Sequence, residues 1–180
     1  MQRTYRWRSL EGEGLEYLAL TELGEVRAEG VVIGSAAGKP FALRYLIRCD
    51  ADWQVRELAV NRIGGPRLRL IGDGAGCWRN ENGVEIPALA GCIDVDIAGC
   101  AFTNTLPIRR LGDRLNERTP ITVAYVQVPE LAASAQQQAY TRLAERRYHY
   151  EGVDDRFSAE IEVDGDGIVL RYPPLFERLP

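Results

Sequence analysis

The chain has 180 residues, 46% hydrophobic and 27% charged, with a formal net charge of −4 and a pI of about 5.2. This length fits one domain, spanning 1–180, and the composition can bury a core, which excludes a disordered tail. The acidic balance argues against nucleic acid as a partner, because that grip needs a broad basic face. The opening MQRTYRWRSLEGEG has no apolar signal region and no apolar run reaches a membrane span, so a cytoplasmic location is expected. Of the basic residues, 21 are arginine and only Lys39 is lysine. GC-rich coding or a need for forked carboxylate contacts would each produce that bias.

Most of the chain reads at period two. Residues 29–47, EGVVIGSAAGKPFALRYLI, look like strand–turn–strand. Within FALRYLIRCD, Phe41, Leu43, Tyr45, Ile47 and Cys49 share one face, while Arg44, Arg48 and Asp50 take the other. Residues 66–86 look like a second such unit. ITVAYVQV alternates Ile121, Val123 and Tyr125 against Thr122 and Ala124. RFSAEIEV points Phe157, Ala159, Ile161 and Val163 one way and Ser158, Glu160 and Glu162 the other. The following DGDG supplies the turn of a hairpin over 157–172. Short turn spacing without alternating helices implies a mainly β fold with a curved or closed antiparallel sheet.

Two segments read as helix candidates. Residues 129–148, PELAASAQQQAYTRLAERRY, are rich in helix formers and start with a well-placed Pro129, but no wide apolar stripe emerges. The other is TNTLPIRRLG, 103–112, with a capping Thr or Asn, Pro107 in its first turn and Gly112 at its end.

The stretch DVDIAGCAFTNTLPIRR, 94–110, is unusual. As a strand, it puts Asp94 and Asp96 on one face and Ile93, Val95 and Ile97 on the other. The two carboxylates are then about 6.5–7 Å apart. They either pair with the nearby Arg109 and Arg110 in a structural network, or they floor a polar pocket that hydrogen-bonds hydroxyl groups.

GCIDVDIAGCAFTNTLPIRRL resembles the signature of a bacterial family described as "putative glycolipid-binding", formerly a domain of unknown function. The similarity also takes in YRWR, GLEYLAL, LRYLIRCDADW, GCWR, YVQVPEL, YHYEG and the closing VDGDGIVLRYPPLFERL, and so covers nearly the whole chain. The resemblance implies a strongly curved antiparallel sheet wrapped around one short α-helix, remotely like lipoprotein-carrier folds. It also implies an acidic pocket and a homodimer. Residues 103–112 fit the enclosed helix better than 129–148, being short and largely apolar.

The remaining signals are plainer. Trp7, Trp53 and Trp78 sit in strand-like contexts where core packing is the ordinary role, with Trp53 and Trp78 the candidates for stacking on a sugar. The D-x-D string at 94–96 matches a metal-sugar-nucleotide pattern only weakly, and VDGDGIV reads as a hairpin rather than a calcium loop. Cys49, Cys77, Cys92 and Cys100 form no C-x-x-C pair, so free thiols are expected rather than zinc, and no metal or cofactor is called for. His149, between tyrosines, reads as structural. The expected function is binding or carriage of a sugar-headed amphiphile by Asp94, Asp96, Thr103, Asn104 and Glu16, with Arg109 and Arg110 orienting the acids or meeting a phosphate. The alternative is a metal-dependent or acid–base enzyme acting on a glycolipid or sugar precursor through Asp94 and Asp96.

Overall fold

The computed structural model describes residues 1–153 and 156–180, and in it the alternation becomes fourteen strands. The first half of the chain gives β1 (Gln2–Ser9), β2 (Leu15–Glu22), β3 (Val26–Ala36), β4 (Lys39–Cys49), β5 (Val55–Arg62), β6 (Arg67–Gly72) and β7 (Trp78–Asn80). The second half gives β8 (Asp94–Ile97), β9 (Thr119–Val126), β10 (Ala133–Ala144), β11 (Arg147–Gly152), β12 (Ser158–Val163), β13 (Val169–Tyr172) and β14 (Phe176–Arg178). All lie in one sheet, ordered β7-β6-β5-β4-β3-β2-β1-β14-β13-β12-β11-β10-β9-β8.

That order makes the sheet an up-and-down meander with β1 paired to β14, so both ends of the chain sit in its middle. The sheet is not closed: its edges are β7 and β8, which are consecutive in sequence. Edge strands expose unpaired backbone groups. Here the segment between the two edges ties them together. The Trp78 indole N–H donates to the Cys92 carbonyl at 2.7 Å, and the Gly91 N–H donates to the Gly76 carbonyl at 2.8 Å. Register shifts at Arg48/Cys49, Arg142/Ala144 and Glu162/Val163 add the local bends that curl the sheet.

Strands curl around what they bury. In β4, the face holding Leu43, Tyr45, Ile47 and Cys49 is buried while Arg44 and Arg48 are exposed. In β12, Ile161 and Val163 are buried and the intervening acids exposed. The β12–β13 hairpin turns where expected: Asp164 Oδ1 accepts the Asp166 and Ile168 N–H groups, and Gly167 takes a φ of +76°.

One pairing departs from the antiparallel rule. β8 runs parallel to β9. A parallel pair needs a long crossover, and residues 98–118 provide it. The crossover contains α1 (Thr105–Leu111), with 3-10 turns at Phe102–Asn104 and Gly112–Asn116. Seven residues are far too few for a free-standing helix, so burial must hold it. Thr105, Leu106, Pro107, Ile108 and Leu111 are all buried. Leu106 packs in one apolar cluster with Phe102, Trp7 and Trp78. Ile108 and Leu111 pack in another with Tyr140, Tyr150, Ile161 and Tyr172. The helix thus joins the two halves of the core.

The segment 129–148 is not a helix. Ala133–Ala144 forms β10, hydrogen-bonded to β9 on one side and β11 on the other. Pairing on both edges outweighs its alanine and glutamine propensity, which contributes only tenths of a kcal/mol per residue. Among the described residues no helix is long and apolar enough to cross a membrane.

One contact positions the enclosed passage, and a second fixes the Tyr45 ring on the sheet. Arg110 grips Asp94 in a fork, Nε to Oδ1 at 2.9 Å and Nη2 to Oδ2 at 2.5 Å, with Asp94 fully buried. Across the sheet, Gly30 lies opposite Tyr45, and a Cβ there would sit 2.2 Å from the ring. Asp94→Ala should cost about 3–5 kcal/mol in denaturant unfolding, because it strands a buried guanidinium, whereas Asp94→Leu with Arg110→Met should recover much of that loss. Gly30→Ala should cost about 1–3 kcal/mol by displacing the Tyr45 ring, read from the same urea midpoint.

Candidate functional site

A cavity of about 830 Å³ lies between two walls of the curled sheet. One wall carries Trp7, Leu15, Glu16, Val32, Ile33 and Phe41, from β1 to β4. The other carries Asp96, Ile97, Tyr125, Gln136, Tyr150, Tyr172 and Phe176, from β8 to β14. Asn104 reaches it from the crossover, and the exposed Glu11 and Glu13 border it from the β1–β2 loop. Tyr150, Phe157, Tyr172 and Phe176 form a continuous aromatic surface, with ring centroids 5.7–6.3 Å apart in successive tilted and edge contacts. These spacings fall in the preferred aromatic range, so the surface is firm rather than collapsible.

The polar part of the cavity centres on Asp96, which is half-buried. Thr103 Oγ1 donates to Asp96 Oδ1 at 2.8 Å, and Gln138 Nε2 donates to Oδ2 at 2.7 Å. Tyr140 Oη donates to Asn104 Oδ1 at 3.0 Å, while Asn104 Nδ2 donates to the Ala101 carbonyl at 3.3 Å. The carboxylate is therefore fixed by neutral donors, in a network that links β8, β10 and the crossover. Burial pushes the Tyr140 hydroxyl well above its usual range, and the nearby Asp96 charge adds to this.

Glu16 anchors the other side. It is buried, with Oε1 accepting from Tyr45 Oη at 2.6 Å and from the Cys100 thiol at 2.9 Å, and Oε2 accepting from the Ala101 N–H at 2.6 Å. Alternation explains the arrangement. Glu16 and Trp7 are cross-strand partners, and both face inward. Burial raises the Glu16 pKa, and the hydrogen bonds from Cys100, Tyr45 and the backbone pull it partly back. Burial also lifts the pKa of the Cys100 thiol and of the Tyr45 hydroxyl well above the ordinary range, with the Glu16 charge adding to both. Cys100 is thus a hydrogen-bond donor, not a ready nucleophile.

The structure distributes the nine residues expected at the site among several places. Asp96, Asn104 and Glu16 line the cavity, and Thr103 holds Asp96 from behind. Asp94 and Arg110 lie outside the lining, closed on each other. Arg109 also turns away: its guanidinium stacks 4.3 Å over Trp53, donates to the Asp166 carbonyl at 2.6 Å and pairs with Glu22 at 3.2 Å. Trp53 occupies the β4–β5 turn, at a φ of +63°, rather than a strand. Trp78 spends its indole N–H on the Cys92 carbonyl. Trp7 is the tryptophan on the cavity wall, its indole N–H held by the Val169 carbonyl at 2.8 Å. Sequence reasoning missed Trp7, Tyr45, Cys100, Gln136, Gln138 and the tyrosines. The period-two face marks Tyr45 as inward, but spacing does not distinguish a core position from one beside a cavity.

A raised carboxyl pKa has a definite sign. The native state holds the Glu16 proton more tightly than the unfolded chain, so this stability is present at acid pH and is lost as pH rises above the ordinary value of 4.5. Buried Asp94 shifts in the same direction, against the pull of Arg110. The stability difference between the native protein and Glu16→Gln, followed by urea unfolding in steps from acid to neutral pH, should fall as pH rises.

Comparison with known proteins places this geometry. No curated protein matches the chain. A crystal structure of a DUF1089 family protein from Pseudomonas aeruginosa matches with a TM-score of 0.80 at 38% identity, over 91% of this chain and 92% of that one. A family model described as "Putative glycolipid-binding" matches residues 4–178, from β1 through β14. A match of that extent takes in both cavity walls and the enclosed crossover, and the chain belongs to this putative glycolipid-binding family.

Proposed function

We propose that the protein holds a sugar-headed amphiphile in the 830 Å³ cavity, binding or carrying it rather than transforming it. One observation carries this reading: a carboxylate fixed by Thr103 and Gln138 faces the same hollow as a continuous aromatic surface. Sugar recognition uses this combination, because hydroxyl groups donate to a carboxylate while the C–H face of the ring packs on aromatic carbon. The aliphatic side chains Leu15, Val32, Ile33 and Leu175 offer the tail an apolar surface. The volume falls within the range of small-ligand sites.

Asp96, Asn104 and Glu16 are the polar contacts in this reading, and Thr103 and Gln138 orient the first of them. Asp94 and Arg110 support the fold instead. A paired-acid chemistry would need both Asp94 and Asp96 free to reach a substrate, and the Arg110 fork on Asp94 weighs against it. Membership in a glycolipid-binding family supports a glycolipid-like ligand.

Asp96→Ala should weaken binding of a short-chain alkyl glycoside at least tenfold, about 1.4 kcal/mol, while its melting temperature stays within a few degrees of the native value. Isothermal titration and a thermal melt read the two quantities. Unchanged affinity in a folded Asp96→Ala protein would remove the carboxylate from the site.

A further inference from the structure

The cavity wall carries charge of one sign. Its charged side chains among the described residues are Glu11, Glu13, Glu16 and Asp96, with no lysine, arginine or histidine. This is a selective placement in a chain with 21 arginines. Arginines close in sequence or register are directed elsewhere. Arg110 is committed to Asp94, Arg109 to Trp53 and Glu22, and Arg8 to Glu177 at 2.6 Å. The other polar groups on the wall, such as Ser9, Ser35, Asn104 and Gln136, are neutral.

A cleft lined by one sign of charge, with low-dielectric walls, focuses its field on whatever enters. The donor and acceptor inventory sharpens the effect. A carboxylate only accepts hydrogen bonds, and a protonated amine only donates them. A sulfate, phosphate or carboxylate on the ligand brings more acceptors and more negative charge to a wall that has no cation to receive them.

We infer that the cavity sorts amphiphiles by the charge of the head group, taking an amine-bearing sugar in preference to an uncharged one and turning away anionic heads. This rests on the ligand reading above and adds a charge class to it. Glu11 and Glu13 act first, at the exposed border, and Asp96 acts inside.

Three ligands with one tail test it: dodecyl glucosaminide, dodecyl glucoside and dodecyl glucuronide, titrated below their micelle concentrations. At about pH 6 the amine is protonated and free carboxylates are ionised. The expected order is glucosaminide tightest and glucuronide weakest, each step about tenfold, and the spread narrows with added salt. Asp96→Asn should compress the series, and Glu11→Gln with Glu13→Gln, on an exposed loop, should compress it without touching the interior. If the glucuronide binds as tightly as the glucoside, charge sorting is wrong and the glycolipid reading stands. If none of the three binds, both fall. If neither variant changes the spacing of the series, the carboxylates are not the source of the selectivity.

Discussion

A non-strand segment enclosed by a sheet must find partners for its backbone and its polar side chains, since water cannot serve them there. Residues 100–111 meet that constraint through three carboxylates. Glu16 reaches from β2 to the Cys100 thiol and the Ala101 N–H. Asp96 accepts the Thr103 hydroxyl, and Asp94 takes the fork of Arg110. The acids belong to two distant strands, β2 and β8, so the segment is pinned to opposite walls. The cavity opens between these walls, and Glu16 and Asp96 serve as both struts and lining.

The fold was largely legible in the sequence because alternation is a local signal. Leu43, Tyr45 and Ile47 are buried as their spacing requires, and so are Ile161 and Val163. The short helix was legible from Pro107 and Gly112, its first-turn and terminating residues. Residues 133–144 were not, because their fate depends on partners distant in sequence. Gln138, Ala139 and Tyr140 are consecutive and all buried, a run that has neither a helical nor a strand period. It arises because both faces of β10 are covered at that point, one of them by the crossover, where Tyr140 meets Asn104. The parallel β8–β9 pair is illegible for the same reason, since no local pattern marks a strand's direction relative to its neighbour.

The site was legible to the level of a face and no further. Asp94 and Asp96 share a side of their strand, yet one is sealed and the other lines the hollow. What separates them is which side chain the crossover delivers: Arg110, from α1, arrives at Asp94, and Thr103, from the preceding 3-10 turn, at Asp96. Periodicity assigns direction but not the chemistry waiting there. The helix-forming composition of 129–148, a candidate helix in sequence, also hid Gln136 and Gln138, which β10 brings to the acidic end of the cavity. Trp7 was visible as an inward residue, but an inward tryptophan in a core and one on a cavity wall have the same spacing.

The hollow opens to solvent at its border, where Glu11 and Glu13 are exposed. Trp7, Val32 and Ile97 of one apolar cluster and Tyr150 and Tyr172 of the other line it, so the clusters joined by Leu106, Ile108 and Leu111 reach the wall itself. The wall keeps aromatic rings in mutual contact and a carboxylate between two donors. A ligand held between these walls binds only the folded state, so occupancy and stability are coupled by mass action.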